Sequence, residues 1–326
     1  MSIQMIKSGE MEMSEMSLNL QFWILLIFTI PSLFCSLIVI YRYLFNRFLR
    51  NGLHNHSILL LVTVNVILII TDVSWMLDSL RRNGDVLSPT RSFCTLWWII
   101  DDSLYGLQTA ILAWASIERH ILIFHSKYVS TRKQKLLFRC LPPGLLTIYV
   151  FAYHIGVIVF PSCENEFDYH ELECGSNPCY LAITFLAAWE LIVNNIIPTL
   201  IIAIFNIALF YRIIAQKQRL RQPIQWRKHR RMSMQLLSLS AVYLFLNLPM
   251  IVIMLIQLVQ SEDPQVGFGT QLYIFILTYS VTLSLPFVVY LNRLSVDKHR
   301  HIQISPTVVP LPMNKTSVAR EIPTKA

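Results

Sequence analysis

Seven apolar stretches, each about as long as a bilayer-crossing helix, constrain this chain more than any other feature. They cover residues 22–45, 56–80, 93–124, 137–160, 180–214, 229–259 and 270–293. A hydrocarbon core of roughly 30 Å is crossed by about 20 helical residues. In lipid the backbone must satisfy its hydrogen bonds within a helix or a closed barrel, and the short alternating segments of barrel strands are absent. The chain therefore reads as an all-α membrane protein, a seven-transmembrane-helix bundle with its termini on opposite sides. Residues 1–21 are a short N-terminal segment, 22–293 the helical domain and 294–326 a tail. Charged residues make up only 14% of the chain and mean hydropathy is +0.51, which excludes an ordinary soluble domain.

Basic residues set the orientation. With the N-terminus extracellular, the segments 42–55, 119–139 and 212–231 and the tail from 293 are cytoplasmic and hold 23 of the 27 Lys and Arg. Lys7, Arg81, Arg82 and Arg91 remain outside, as the positive-inside rule requires. The net charge of +8 is explained by these membrane flanks, so the partner is the lipid membrane and not nucleic acid. Residues 1–21 carry Lys7, Glu10, Glu12 and Glu15, so the first span is expected to act as an uncleaved anchor. Cys94, Cys163, Cys174 and Cys179 fall on the outer side, where disulfides persist. Two disulfides are expected, and four cysteines allow three pairings. Sequons at Asn55 and Asn314 lie on the cytoplasmic side and are read as chance matches.

The third span closes with Glu118-Arg119-His120, and Cys94 lies 25 positions earlier. This resembles the Asp/Glu-Arg-Tyr motif and outer cysteine of rhodopsin-like (class A) G-protein-coupled receptors. Pro198, Pro249 and Pro286 stand where that family bends its last three helices. The resemblance implies that Glu118 restrains Arg119 at rest and that Arg119, once freed, lines the cavity that receives a heterotrimeric G protein. His120, Pro249, Pro286 and Tyr290 belong to the same activation machinery. The departures are also clear. His120 replaces Tyr, Asn247 replaces the sixth-helix Trp, Leu285 precedes Pro286 in place of Asn, and Asn65 stands at the sodium-binding aspartate. The pattern is that of a divergent, lineage-specific receptor of an invertebrate type.

Asp101 lies 18 positions before Arg119, five helical turns outward on the same face, and resembles the site where amine receptors hold an ammonium group. A carboxylate within a membrane is costly unless paired, so a cationic ligand, water or a protein partner is expected beside it. Asp102 lies about 100° around the helix, so only one of the two is expected to point straight into the bundle. Tyr105 offers a ring face to a cation. Glu190, with Asn194 and Asn195, and Asn247 complete the expected ligand pocket. The alternative is that these groups only bond between helices. An acidic stretch, 164–173, lies outside and favours a basic peptide through steering.

The expected function is that of a multi-pass plasma-membrane receptor that binds an extracellular ligand, a peptide or an amine, and activates a G protein. A transporter of a small solute is the alternative, with Asp72, Asp78 and Glu190 lining a path. Discriminating against it are the Cys94 to Arg119 spacing and the lack of an internal repeat. The seventh span has no lysine for a retinal Schiff base. No pair of histidines has the i, i+4 spacing of a metal site, so neither an enzyme nor a cofactor is expected. The basic segment 217–231 leads into the sixth span, Arg293 to His301 suggests a short eighth helix, and 303–326 reads as disordered.

Overall fold

The structure, a computed structural model, describes residues 2–45, 56–124, 131–175, 178–219, 223–259 and 275–291. Among these residues there is no strand, and seven long helices follow one another. They are α1 (Ser2–Phe45), α2 (His56–Arg81), α3 (Arg91–Phe124), α4 (Arg132–Val159), α5 (Thr184–Trp189 continuing to Arg219), α6 (Pro223–Val259) and α7 (Phe275–Leu291). The backbone of α1 begins well before residue 22, so helix extends through most of the N-terminal segment. The side chains of 217–231, the eighth-helix segment, the tail and both sequon asparagines lie outside the described residues.

Burial is inverted relative to a water-soluble protein. Phe245 is 78% exposed and Phe34 66%, whereas Asn65 and Asp72 are both 0%. Large apolar side chains facing outward and polar ones facing inward are stable only where the surroundings are lipid. By length and composition five of the helices can cross a membrane, with α7 a shorter apolar helix. The central helix α3 carries Asp101, Asp102, Glu118 and Arg119, which lowers its hydropathy. That composition suits a helix surrounded by protein; α2, α4, α5 and α6 all pack on it.

Several hydroxyls inside the bundle are satisfied by their own helices. Thr29 donates to the Leu25 carbonyl at 2.6 Å, Ser36 to Ser32 at 2.9 Å, Ser116 to Leu112 at 3.0 Å and Thr147 to Pro143 at 2.8 Å. Such i−4 bonds remove polar cost in an apolar medium and soften the helix locally. The last of them adjoins Pro142 and Pro143 inside α4, where two backbone donors are missing. Thr131 starts α4 with a reciprocal capping box to Gln134.

Two helices widen into π-turns, at Ile69–Val73 in α2 and Glu190–Ile196 in α5. Each inserts an extra residue per turn, and in each a side chain five residues on caps a displaced carbonyl. Ser74 Oγ donates to Ile69 at 2.9 Å, and Asn195 Nδ2 donates to the Glu190 carbonyl at 3.2 Å. Such bulges concentrate at functional sites, and these two carry Asp72 and Glu190.

Two apolar layers stack along the bundle. One joins Val39 and Tyr43 of α1, Leu68 of α2, Leu112 of α3, Leu239 of α6 and Val289 of α7. The other gathers Leu25, Met76, Trp97, Ile158, Tyr180 and Tyr279 beneath the loop that follows α4. Edge-on contacts among Trp75, Phe93 and Trp97, with centroids 5.3 to 5.8 Å apart, tie the end of α2 to the start of α3.

Candidate functional site

Both disulfides lie at one end of the bundle, termed here the outer end. Cys94 of α3 bonds Cys174, and Cys163 bonds Cys179, which selects one of the three pairings open to the sequence. The first bond spans 80 residues and the second 16. The first fastens the loop to α3, and the second closes a ring within the loop between α4 and α5. Glu173 and Cys174 adopt left-handed backbone angles, with φ 55° and 57°, a sparsely populated state for residues with a Cβ. The twist drops the Glu173 carbonyl onto Trp98 Nε1, which donates at 2.7 Å, while Tyr279 of α7 donates to its carboxylate at 3.3 Å.

The loop also reaches α2. Gly84, at φ +104°, ends the turn after α2 where a Cβ would come within 3.0 Å of the His170 carbonyl oxygen. Val86 N–H donates to the Tyr169 carbonyl at 3.1 Å, and His170 Nδ1 donates to Asp85 at 2.8 Å. That bond, and the charge of Asp85, raise the His170 imidazole above its ordinary value of 6.5. With the folded value the higher, the contact is at full strength below the ordinary value and is lost as pH rises through the raised one. His170→Gln is thus expected to increase hydrogen exchange of the Val86 amide near pH 5.5 and to leave it unchanged near pH 9, each compared with wild type at equal pH.

Below the loop, acids converge on both sides of α3. Toward α2 and α7, the buried Asp72 carboxylate accepts from Trp97 Nε1 at 2.9 Å and from the Tyr105 hydroxyl at 3.4 Å. Asp101 and Glu173 stand near enough to feel its charge. Toward α4 and α5, Asp102 accepts from Tyr180 at 3.4 Å. His154, 1% exposed, donates Nδ1–H to the Val150 carbonyl at 2.9 Å and turns Nε2 toward Glu190, 3.6 Å away. Asn194 donates to Glu190 at 2.7 Å and accepts from Tyr149 at 3.0 Å.

Asp101 and Asp102 are both partly buried on α3, with Asp102 on the side facing α4 and α5, where Tyr180 donates to it. The hydroxyl bond of Tyr105 to Asp72 holds its ring beside that carboxylate. Asn247 lies deeper, donating to Thr199 of α5 at 3.3 Å. Beside it Tyr243 of α6 shares a 2.7 Å hydrogen bond with Thr109 of α3, so polar contacts occupy the level of the proline in α6. At the Asn65 position Gln108 Nε2 donates to Asn65 Oδ1 at 3.0 Å, an amide pair in place of a charge.

Four contributors to the outer site escaped sequence reasoning: Trp97, His154, Tyr180 and Tyr279. A lone histidine within the apolar fourth span was a signal available for His154. Glu173 was marked only as one acid of the stretch 164–173, and its place in the site depends on the Cys94–Cys174 bond.

At the opposite end Glu118 and Arg119 are 1% and 3% exposed. Ser57 of α2 donates to the Glu118 carboxylate, and Glu118 and Arg119 interact through their charges. Asn206 of α5 donates to Ser116 at 3.0 Å, and His120 packs edge-on against Phe205. Pro249 lies inside α6, and Pro286 is buried in α7 beside Leu285. Tyr290 packs against the apolar layer shared by α1, α2 and α6.

The chain matches the family of 7 transmembrane receptors (rhodopsin family) over residues 20–293, and it belongs to that family. No individual curated protein matches it. Membership favours a signalling receptor over the transporter alternative.

Proposed function

We propose that this protein is a plasma-membrane receptor, N-terminus outside, that binds a cationic ligand among the outer ends of its helices and activates a heterotrimeric G protein. The observation that carries the ligand class is the gathering of Asp72, Asp101 and Asp102 on α2 and α3. No lysine or arginine among the described residues lies in ion-pair range of any of them. Carboxylates enclosed in protein are stabilised by a cation brought by the ligand, and aromatic neighbours such as Tyr105 and Trp97 suit an ammonium or guanidinium group. A small amine or the basic side chain of a peptide meets these demands. Glu173 couples the loop to the pocket, so an occupant there bears on α2, α3 and α7 together. At the cytoplasmic end the Ser57–Glu118–Arg119 arrangement is the resting restraint, and its opening exposes Arg119 to the G protein.

The test is a panel of amines and basic peptides applied to cells bearing wild type or Asp101→Asn at matched surface levels, with G-protein activation as readout. A charge-assisted contact of about 1.5–3 kcal/mol predicts a loss of potency of about 10–100-fold in the variant. Activation by neutral or anionic compounds alone would count against a cationic ligand.

A further inference from the structure

A groove of about 450 Å³ runs between the outer ends of α3 and α4, on the flank away from α2 and α7. Its α3 wall is a single stripe graded from polar to apolar. Arg91, Ser92 and Thr95 stand at the mouth, followed inward by Leu96 and Ile99, with Ile158 of α4 opposite. Eight residues of helix cover about 12 Å, enough to pass from the headgroup zone into the hydrocarbon. Arg91 is exposed and has no ion-pair partner among the described residues. It also opens α3, where the helix dipole favours an anion. The Thr95 hydroxyl is spent on the Arg91 carbonyl at 2.8 Å and the Asn165 amide, also in the lining, on the Ile158 carbonyl and the Cys179 N–H, which leaves the Arg91 guanidinium and the Ser92 hydroxyl as the groups for a headgroup.

We propose that this groove binds a phospholipid of the surrounding membrane, its phosphate on Arg91 and Ser92 and an acyl chain along Leu96, Ile99 and Ile158. Charge complementarity selects the phosphate, and the apolar continuation selects a lipid over a free anion. The site is separate from the acidic pocket, and it braces the turn of α3 that carries Cys94.

Native mass spectrometry of the purified, delipidated full chain, titrated with phosphatidylglycerol, tests this without reference to signalling. Wild type should retain one tightly held lipid. Arg91→Gln and Ser92→Glu, both at exposed positions, should each weaken it by about 10-fold. Arg81→Gln, an exposed arginine of α2, should not. Ile99→Trp, which fills the groove, should also weaken it. Equal lipid retention by wild type, Arg91→Gln and Ser92→Glu would overturn the proposal, as would displacement of the lipid by glycerol phosphate at similar concentration, which would mark a site for free phosphate.

Discussion

Receptor carrying Cys94→Ala or Cys174→Ala is expected to lose about 2–5 kcal/mol of stability and to fail in ligand response even where it reaches the surface. Both cysteines are fully buried and their bond closes 80 residues. More depends on it than chain entropy. The left-handed turn at Glu173 and Cys174 is held against its local preference by the bond, and releasing it withdraws the Glu173 carbonyl from Trp98 and its carboxylate from Tyr279. Cys163→Ala opens a ring of 16 residues at the edge of the loop, where loop-closure entropy is smaller. It should therefore cost less and preserve part of the response. Thermal unfolding of the purified variants, with ligand response in parallel, checks the order. A Cys163 variant more damaged than the Cys94 variant would contradict it.

Glu118→Ala is expected to destabilise the resting receptor by about 3–5 kcal/mol, because Arg119 would keep its charge in a buried place without the acid beside it. The Ser57 hydroxyl, itself buried, would also lose its acceptor. Glu118→Gln preserves an acceptor for Ser57 and removes only the charge, so a smaller loss is expected. On the proposed reading that this pair restrains the resting receptor, basal G-protein activation should rise in both variants, and more in Ala. Unfolding temperature and basal activation measured on the same preparations decide it; an Ala variant as stable and as quiet as wild type would show that the pair restrains nothing.

The helical architecture was legible because lipid imposes a length and a polarity rule on a span, and five of the helices obey both. Arg119 and Cys94 could be related by spacing because the one helix that carries both, α3, is continuous from Arg91 to Phe124. The outer site was less legible for two physical reasons. The π-turns at Ile69–Val73 and Glu190–Ile196 break the 3.6-residue period on which facing positions are counted, so the orientations of Asp72 and Glu190 could not be projected from α-helical phase. Glu173 arrives through a disulfide pairing that spacing left open, and Tyr180 and Tyr279 meet their acids across 78 and 106 residues of sequence. His154 was visible as an isolated polar residue in an apolar span, yet its partner lies on another helix.

Ligand-independent G-protein activation in cells expressing wild type and Arg119→Ala at matched surface density tests the central claim most directly. Arg119 is 3% exposed at the end of α3 opposite the disulfides, and the proposed function makes it the residue that meets the G protein. The account predicts a basal signal in wild type that Arg119→Ala abolishes while the variant still folds and reaches the surface. A signal that persists undiminished in Arg119→Ala would contradict it.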